Sequence, residues 1–484
     1  MQLSGEHPRA TLTGADGVFE FSGLKPAEVE ITARKPGFFT AQELRPNTLS
    51  ERRVHLVPEM GPVTLQLFPE GVIFGRITGE NGEGLEGLTV LLRRLGEKKL
   101  RSDESRKLQT TTDETGSFRI AELKPGSYLL VASKSLQSDP ILFRMHAVRS
   151  SRGYGNYFYP SVTDSAAATP IAITPGKQFK ADMRLEKVPY LRVSGRVTGG
   201  IGTEPLLVFI VATDAQAPVA MATANPPTGD FLLQGVPPGS YVLGAMAARG
   251  QESTGILPLQ LTHDLSSIIL PLAPNVTLPV NIRKDRSSSE VPPEEGETQL
   301  VLSFDRLDLP MGEMSTSAIP QRNDKGVIMG WSANLAPGKY RLNYSLESGY
   351  YVASANSGTA DLINEDLLIA AGGSAEPIEI VLRDDVASLQ GKVVRGGDPA
   401  VGRVFLIPTR APRTASSEPV DSDGNFLFTD LAPGAYLVVA LEDEEDANLD
   451  NPDTLRKIQS KGEQLDFEPR GRANVTLELK RLEP

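Results

Sequence analysis

The chain has 484 residues, of which 49 are basic and 61 acidic, giving a net charge of −12; it contains no cysteine. At about 100–150 residues per domain, this length holds three to five domains. The acidic balance argues against a nucleic-acid or anionic-membrane partner, and the lack of cysteine excludes disulfides, thiolate metal sites and thiol nucleophiles.

Gly (45) and Pro (37) are abundant enough to point to a turn-rich, all-β chain. In chain order, a two-turn signature recurs five times. It opens as Asp16-Gly17-Val18-Phe19 followed by Leu24-Lys25-Pro26, a copy without the later Gly and Tyr. It returns as Thr115-Gly116-Ser117-Phe118 with Leu123-Lys124-Pro125-Gly126-Ser127-Tyr128, and as Thr228-Gly229-Asp230-Phe231 with Val236-Pro237-Pro238-Gly239-Ser240-Tyr241. The fourth copy diverges, Asn323-Asp324-Lys325-Gly326 with Leu335-Ala336-Pro337-Gly338-Lys339-Tyr340. The fifth reads Asp423-Gly424-Asn425-Phe426 with Leu431-Ala432-Pro433-Gly434-Ala435-Tyr436.

Each part has a physical role. Gly after Asp or Thr supplies the positive φ of a tight hairpin. The alternating residues after Phe fit a half-buried strand. Pro-Gly predicts a type II turn. Apolar residues on both faces of Tyr128–Ala132 and Tyr436–Ala440 predict central strands covered on both sides. Upstream of the signature, Ile73-Phe74-Gly75-Arg76-Ile77-Thr78, Val193-Ser194-Gly195-Arg196-Val197-Thr198 and Leu389-Gln390-Gly391-Lys392-Val393-Val394 predict opening strands. The interior Gly of each marks a bulge or a close backbone approach.

These spacings predict five β-sandwich modules: 1–68, 69–187, 188–273, 274–383 and 384–484. The first lacks its opening strands, which would lie upstream of Met1. The polar segment 284–297 predicts a loop inside module four. One short helix is expected, capped by Asn451, with Pro452 at its first position and Gly462 at its end.

The order Gly-Arg-Val-Thr, Thr-Asp-x-x-Gly-x-Phe, Leu-x-Pro-Gly-x-Tyr resembles the carboxypeptidase regulatory-like domain, of the carbohydrate-binding-like, transthyretin-like group. Module two adds Tyr157-Phe158-Tyr159-Pro160 and Ile173-Thr174-Pro175-Gly176, similar to long bacterial multi-module forms. The resemblance implies a tandem array of immunoglobulin-like or prealbumin-like sandwiches. In metallocarboxypeptidases this domain lies beside the catalytic domain and lacks the zinc site, so it implies no activity.

A search for chemistry is consistent with that. The four histidines, His7, His55, His146 and His263, have no metal-binding spacing, and no Gly-x-Ser-x-Gly elbow is present. Gly82-Glu83-Gly84-Leu85-Glu86-Gly87 imitates a dinucleotide fingerprint but joins two predicted strands and carries two glutamates. Asp421-Ser422-Asp423-Gly424-Asn425 opens like a Ca²⁺ loop, yet its twelfth position is Ala432. The acidic run 442–446 reads as a solvated loop ahead of a weak Ca²⁺ site. No catalytic residue, metal ligand or cofactor is expected.

The aromatic cluster Tyr154, Tyr157, Phe158 and Tyr159 is the candidate carbohydrate contact, because aromatic faces stack on sugar rings. The competing reading is that these side chains cap the core of module two. Trp331 reads as a packing residue. The expectation is a non-catalytic, extracytoplasmic structural or interaction array with a glycan or a cell-envelope protein as partner. The alternatives are carbohydrate binding through exposed aromatics, or an accessory region of a larger extracytoplasmic enzyme or outer-membrane assembly.

Overall fold

A computed structural model describes residues 2–4, 9–25, 28–44, 52–56, 61–95, 108–133, 151–199, 205–213, 218–247, 253–285, 300–310, 315–323, 328–346, 348–373, 376–421, 423–442, 449 and 452–481. The fold is all-β. Separate hydrophobic cores form within 73–185, 191–272, 278–382 and 387–479.

One plan is built four times. In the first sheet an opening strand pairs antiparallel with the Phe strand and parallel with the closing strand. Gly71–Thr78 pairs with Ser117–Leu123 and with Gln178–Lys180 and Met183–Arg184. Leu191–Thr198 pairs with Asp230–Val236 and Leu265–Pro271. Val276–Asp285 pairs with Ile328–Leu335 and Ile378–Arg383. Ala387–Arg395 pairs with Asn425–Leu431 and Arg472–Lys480. The fourth copy, divergent in sequence, therefore keeps the topology.

The second sheet is centred on the Tyr strand, antiparallel to the apolar strand that follows the opening one. The pairs are Thr89–Arg94 with Gly126–Ser133, Leu206–Ala212 with Gly239–Ala247, Leu300–Arg306 with Gly338–Leu346, and Arg403–Pro408 with Gly434–Leu441.

The alternation after Phe does what a pleated strand requires. Phe118 and Ile120 are buried around exposed Arg119; Phe231 and Leu233 flank exposed Leu232; Phe426 and Phe428 flank exposed Leu427. The interior Gly of the opening strand marks a close approach. A Cβ on Gly75, Gly195 or Gly391 would lie 2.3, 2.1 and 2.1 Å from the carbonyl oxygens of Ala181, Ile268 and Val475 on the closing strand.

The tyrosine closes each corner. Its hydroxyl donates to the carbonyl four residues upstream: Tyr128 to Lys124 (2.7 Å), Tyr241 to Pro237 (2.8 Å), Tyr340 to Ala336 (2.9 Å) and Tyr436 to Ala432 (2.8 Å). The Pro-Gly pair departs from the expected type II turn, whose Gly sits near φ of about +80°. Gly126, Gly338 and Gly434 instead have φ of 155°, 157° and 133° and begin the Tyr strand. The left-handed residue comes earlier, just before the Leu/Val: Gly23 (65°), Glu122 (55°), Gly235 (75°) and Asp430 (58°). In the three modules where that residue follows a paired Phe strand, the register shifts at this point, so each Phe strand ends in a bulge.

The helix forms at Pro452–Gln459, with the Gly462 N–H bonded to the Gln459 carbonyl; Asn451 lies outside the described residues. Ile458 and Leu455 cover Phe405, Ile407, Val439 and Leu441, which explains the two apolar faces of that Tyr strand.

Candidate functional site

Residues 152–159 run from the connection to the next module into the second sheet of module two. Arg152–Gly153 pairs with Val188–Pro189, in the connection to the next module, and Tyr157–Phe158 pairs with Ala132 and Val131. Two of the four aromatic side chains are buried, and as successive strand residues they face opposite sides of the sheet. Phe158 is fully buried, and Tyr157 is 4% exposed with its hydroxyl donating to the Glu186 carbonyl. Tyr159 is half-buried and meets Phe179 edge to face, with ring centroids 5.8 Å apart. Tyr154 is half-buried, with the Lys187 ammonium 5.9 Å from its ring centre, and its carbonyl accepts from the Tyr190 hydroxyl at 3.2 Å.

Burial pushes the hydroxyls of Tyr154, Tyr157 and Tyr190 above the ordinary phenol value. Sugar stacking needs an open ring face, and Tyr157 and Phe158 offer none. Tyr157 enters the core of module two with Tyr154 and Tyr159 packed at its edge, while Phe158 is buried outside that cluster. The loop also reaches the following module, since a Cβ on Gly155 would lie 3.1 Å from Pro237.

The other sequence motifs are turns. Asp113 Oδ1 accepts from the Thr115 hydroxyl (2.7 Å) and from the N–H groups of Thr115 (2.8 Å) and Ser117 (2.9 Å). Those bonds, the Thr115 hydroxyl first, hold its carboxyl below the ordinary value. Asp421 Oδ1 likewise accepts from the N–H groups of Asp423 (2.9 Å) and Asn425 (2.7 Å), so its oxygen faces its own backbone. Residues 79–87 form a hairpin loop with Gly82 and Gly87 at positive φ. Glu442 pairs with Arg395 and Arg481, while 443–446 lie outside the described residues, as do His7, His146 and 286–299. His263 is exposed beside Thr262. Trp331 packs against the core of module four. Among the described residues no cluster of His, Asp and Glu is arranged to hold a metal, and no helix is long and apolar enough to cross a membrane.

A polar constellation joins modules four and five. Asp385, in the connection between them, is 2% exposed. It accepts from Arg383 Nη2 (2.7 Å) and the Tyr351 hydroxyl (3.0 Å). Burial, followed by the bond to Asp385, pushes Tyr351 up to about 12. Asp430, the left-handed bulge residue of module five, accepts from the Gly349 N–H (2.8 Å) and the Ser348 hydroxyl (3.0 Å) of module four. Asp366 of module four faces Lys339 (3.0 Å), Arg341 (3.7 Å) and, from module five, Arg413 (2.8 Å). One junction earlier, Leu309 of module four is 5% exposed and packs on Phe209, Val211 and Val242 of module three.

None of these junction residues stood out in the sequence. The one available signal was Gly23 and Gly235 at the place taken by Asp430, which marks that place as left-handed.

The fold defines a serial array of two-sheet β-sandwiches, with side-chain contacts across the junctions of modules three and four and of modules four and five. Residues 72–138 match the sequence pattern of the carboxypeptidase regulatory-like domain. No curated protein sequence matches the chain.

Among solved structures, the chain is similar to BcpA, the major pilin subunit of Bacillus cereus, at 10% identity over 84% of this chain and 99% of that one, with a TM-score of 0.15. It is similar to the RrgB pilus protein from Streptococcus pneumoniae at 8% identity over 77% and 90%, with a TM-score of 0.18. For the minor pilin GBS52 of Streptococcus agalactiae the values are 12%, 42%, 96% and 0.21. At such TM-scores the likeness carries no argument about role.

Proposed function

We propose that the chain is a non-catalytic, extracytoplasmic structural array that holds successive modules in fixed relation and presents its loops to a cell-envelope protein. The observation that carries this is the junction of modules four and five. Three carboxylates, Asp366, Asp385 and Asp430, are each engaged there by side chains or backbone of a neighbouring element. A flexible string of beads needs no such contacts, and inter-domain motion is the default where they are few. The lack of cysteine suits an exported chain.

The test is NMR relaxation on the full chain with modules four and five selectively labelled. Equal rotational correlation times for the two modules support the reading, and independent tumbling overturns it. A glycan array run on the same protein addresses the carbohydrate alternative. Saturable sugar binding that is lost in Tyr154→Ala would replace the structural reading.

A further inference from the structure

The first sheet of module two carries, on its outer face, a set of side chains that the fold does not require. In the opening strand Ile73 and Ile77 enter the core, so Phe74 and Arg76 face away from it. Phe74 stands opposite Arg119 of the Phe strand and beside Lys180 of the closing strand. Cation, ring and cation thus form one row across three strands, the outer two main chains lying about 10 Å apart. A shallow hollow of about 600 Å³ surrounds the row. Among the described residues lining it, Arg76, Arg119 and Lys180 face a single carboxylate, Asp182. That carboxylate accepts from the Arg76 N–H (3.0 Å) and pairs with Lys180 (2.7 Å), while Arg76 Nε donates to the Thr115 carbonyl (2.8 Å). Arg119 has neither an ion-pair nor a hydrogen-bond partner among the described residues. Phe74 is half-buried and keeps part of its ring open to solvent.

Modules three and five form the same sheet without these residues. At the place of Phe74 they have Ser194 and Gln390, and at the place of Arg119 they have Leu232 and Leu427, in the same register. Asn474 stands beside Gln390 where Lys180 stands beside Phe74. The row is therefore no part of the repeated plan. Its positive charge also runs against a chain whose net charge is −12.

We propose that this hollow binds an acidic glycan, one whose pyranose ring carries a carboxylate. Phe74 takes the C–H face of the ring. Arg119 donates paired hydrogen bonds to the carboxylate, a geometry that a guanidinium fits. Lys180 and Arg76 meet oxygens of the adjoining sugars. The sheet favours this ligand over two other polyanions. Its opening strand is hydrogen-bonded on both sides, so the face offers an acidic peptide no backbone to pair with. A nucleic acid would stack on Phe74 and set phosphates on the cations, but it brings a charge on every unit to a chain at −12, whereas the glycan needs an acid only on the stacked ring.

The experiment titrates the full chain by calorimetry with the trisaccharide of galacturonic acid and with a hyaluronan tetrasaccharide. Maltotriose, an oligoglutamate peptide and a thymidine oligonucleotide serve as comparison probes. Saturable binding of at least one of the two acidic glycans, tighter than that of any comparison probe, is expected. The variants Phe74→Ser and Arg119→Leu install the residues that modules three and five and the same sheet position already hold, Ser194, Leu232 and Leu427. Each should weaken glycan binding by about tenfold or more, with the unfolding transition of module two still present in scanning calorimetry. Three results overturn the proposal: no saturable binding of either acidic glycan, equal or tighter binding of a comparison probe, or glycan binding that either variant leaves unchanged.

Discussion

The carboxylate of Asp430 accepts a 2.8 Å hydrogen bond from the backbone N–H of Gly349, fastening the Phe-strand bulge of module five to a loop of module four. Asp430 sits at φ 58°, where a Cβ is disfavoured, so the residue serves the junction at some cost to its own strand. The two effects separate by substitution. Asp430→Gly should leave module five as stable or more so while freeing it from module four. Asp430→Ala should also free it, and should leave module five less stable than the Gly variant by about 1 kcal/mol, the usual cost of a side chain in that conformation. Denaturant unfolding gives the first quantity and NMR relaxation the second.

The glycine of the opening strand is fixed by a neighbouring backbone. A Cβ on Gly391 would lie 2.1 Å from the Val475 carbonyl oxygen, and backbone cannot swing aside as a side chain can. Gly391→Ala should therefore cost module five about 2–3 kcal/mol, the range for overpacking in a filled site. Gly330→Ala is the control: that glycine also lies in a strand, but nothing stands within 4 Å of its would-be Cβ, and the change should be near neutral. Thermal unfolding of both variants checks the contrast.

Much of this architecture was legible because it rests on local rules. Alternation around Arg119, Leu232 and Leu427 shows which residues are inward, and Pro452 with Gly462 bounds the helix. The turn before the Tyr strand was misread because Pro-Gly is the stronger local signal, while the left-handed residue is acidic in two modules and glycine in two others. The aromatic loop was open to two readings for a different reason. Four aromatics within 154–159 specify no periodicity, and only the strand formed by pairing with 131–132 puts Tyr157 and Phe158 on opposite faces, with Tyr157 in the core. The junction carboxylates come from residues far apart in sequence, which no local pattern joins.

Placement inside the core sets what the aromatic loop should do on mutation. Tyr157→Ala removes a ring that is 4% exposed and should cost module two about 3–5 kcal/mol, as large-to-small core changes do. Tyr128→Phe removes only the hydroxyl bonded to the Lys124 carbonyl and should cost about 1 kcal/mol. Both losses should appear in the unfolding transition of module two and leave that of module five in place. Differential scanning calorimetry of the full chain resolves this.

The junction of modules four and five should hold only within a pH window. Burial alone would raise the Asp366 carboxyl, but the hydrogen bond from Lys339 and the charge of Arg413 outweigh it and hold the group below its ordinary value of 3.8. A folded value below the unfolded one means a stabilisation that is complete above about pH 4 and fades as the pH falls through the folded value. Tyr351 sets the other limit. Burial, followed by its bond to Asp385, raises it from 10.0 to about 12, so its contribution is complete below pH 10 and fades as the pH rises toward 12. Relaxation measurements across pH should show the modules coupled between those limits and released outside them. Asp366→Asn should weaken the coupling at pH 7 and flatten the acid limb, and Tyr351→Phe should flatten the alkaline limb alone.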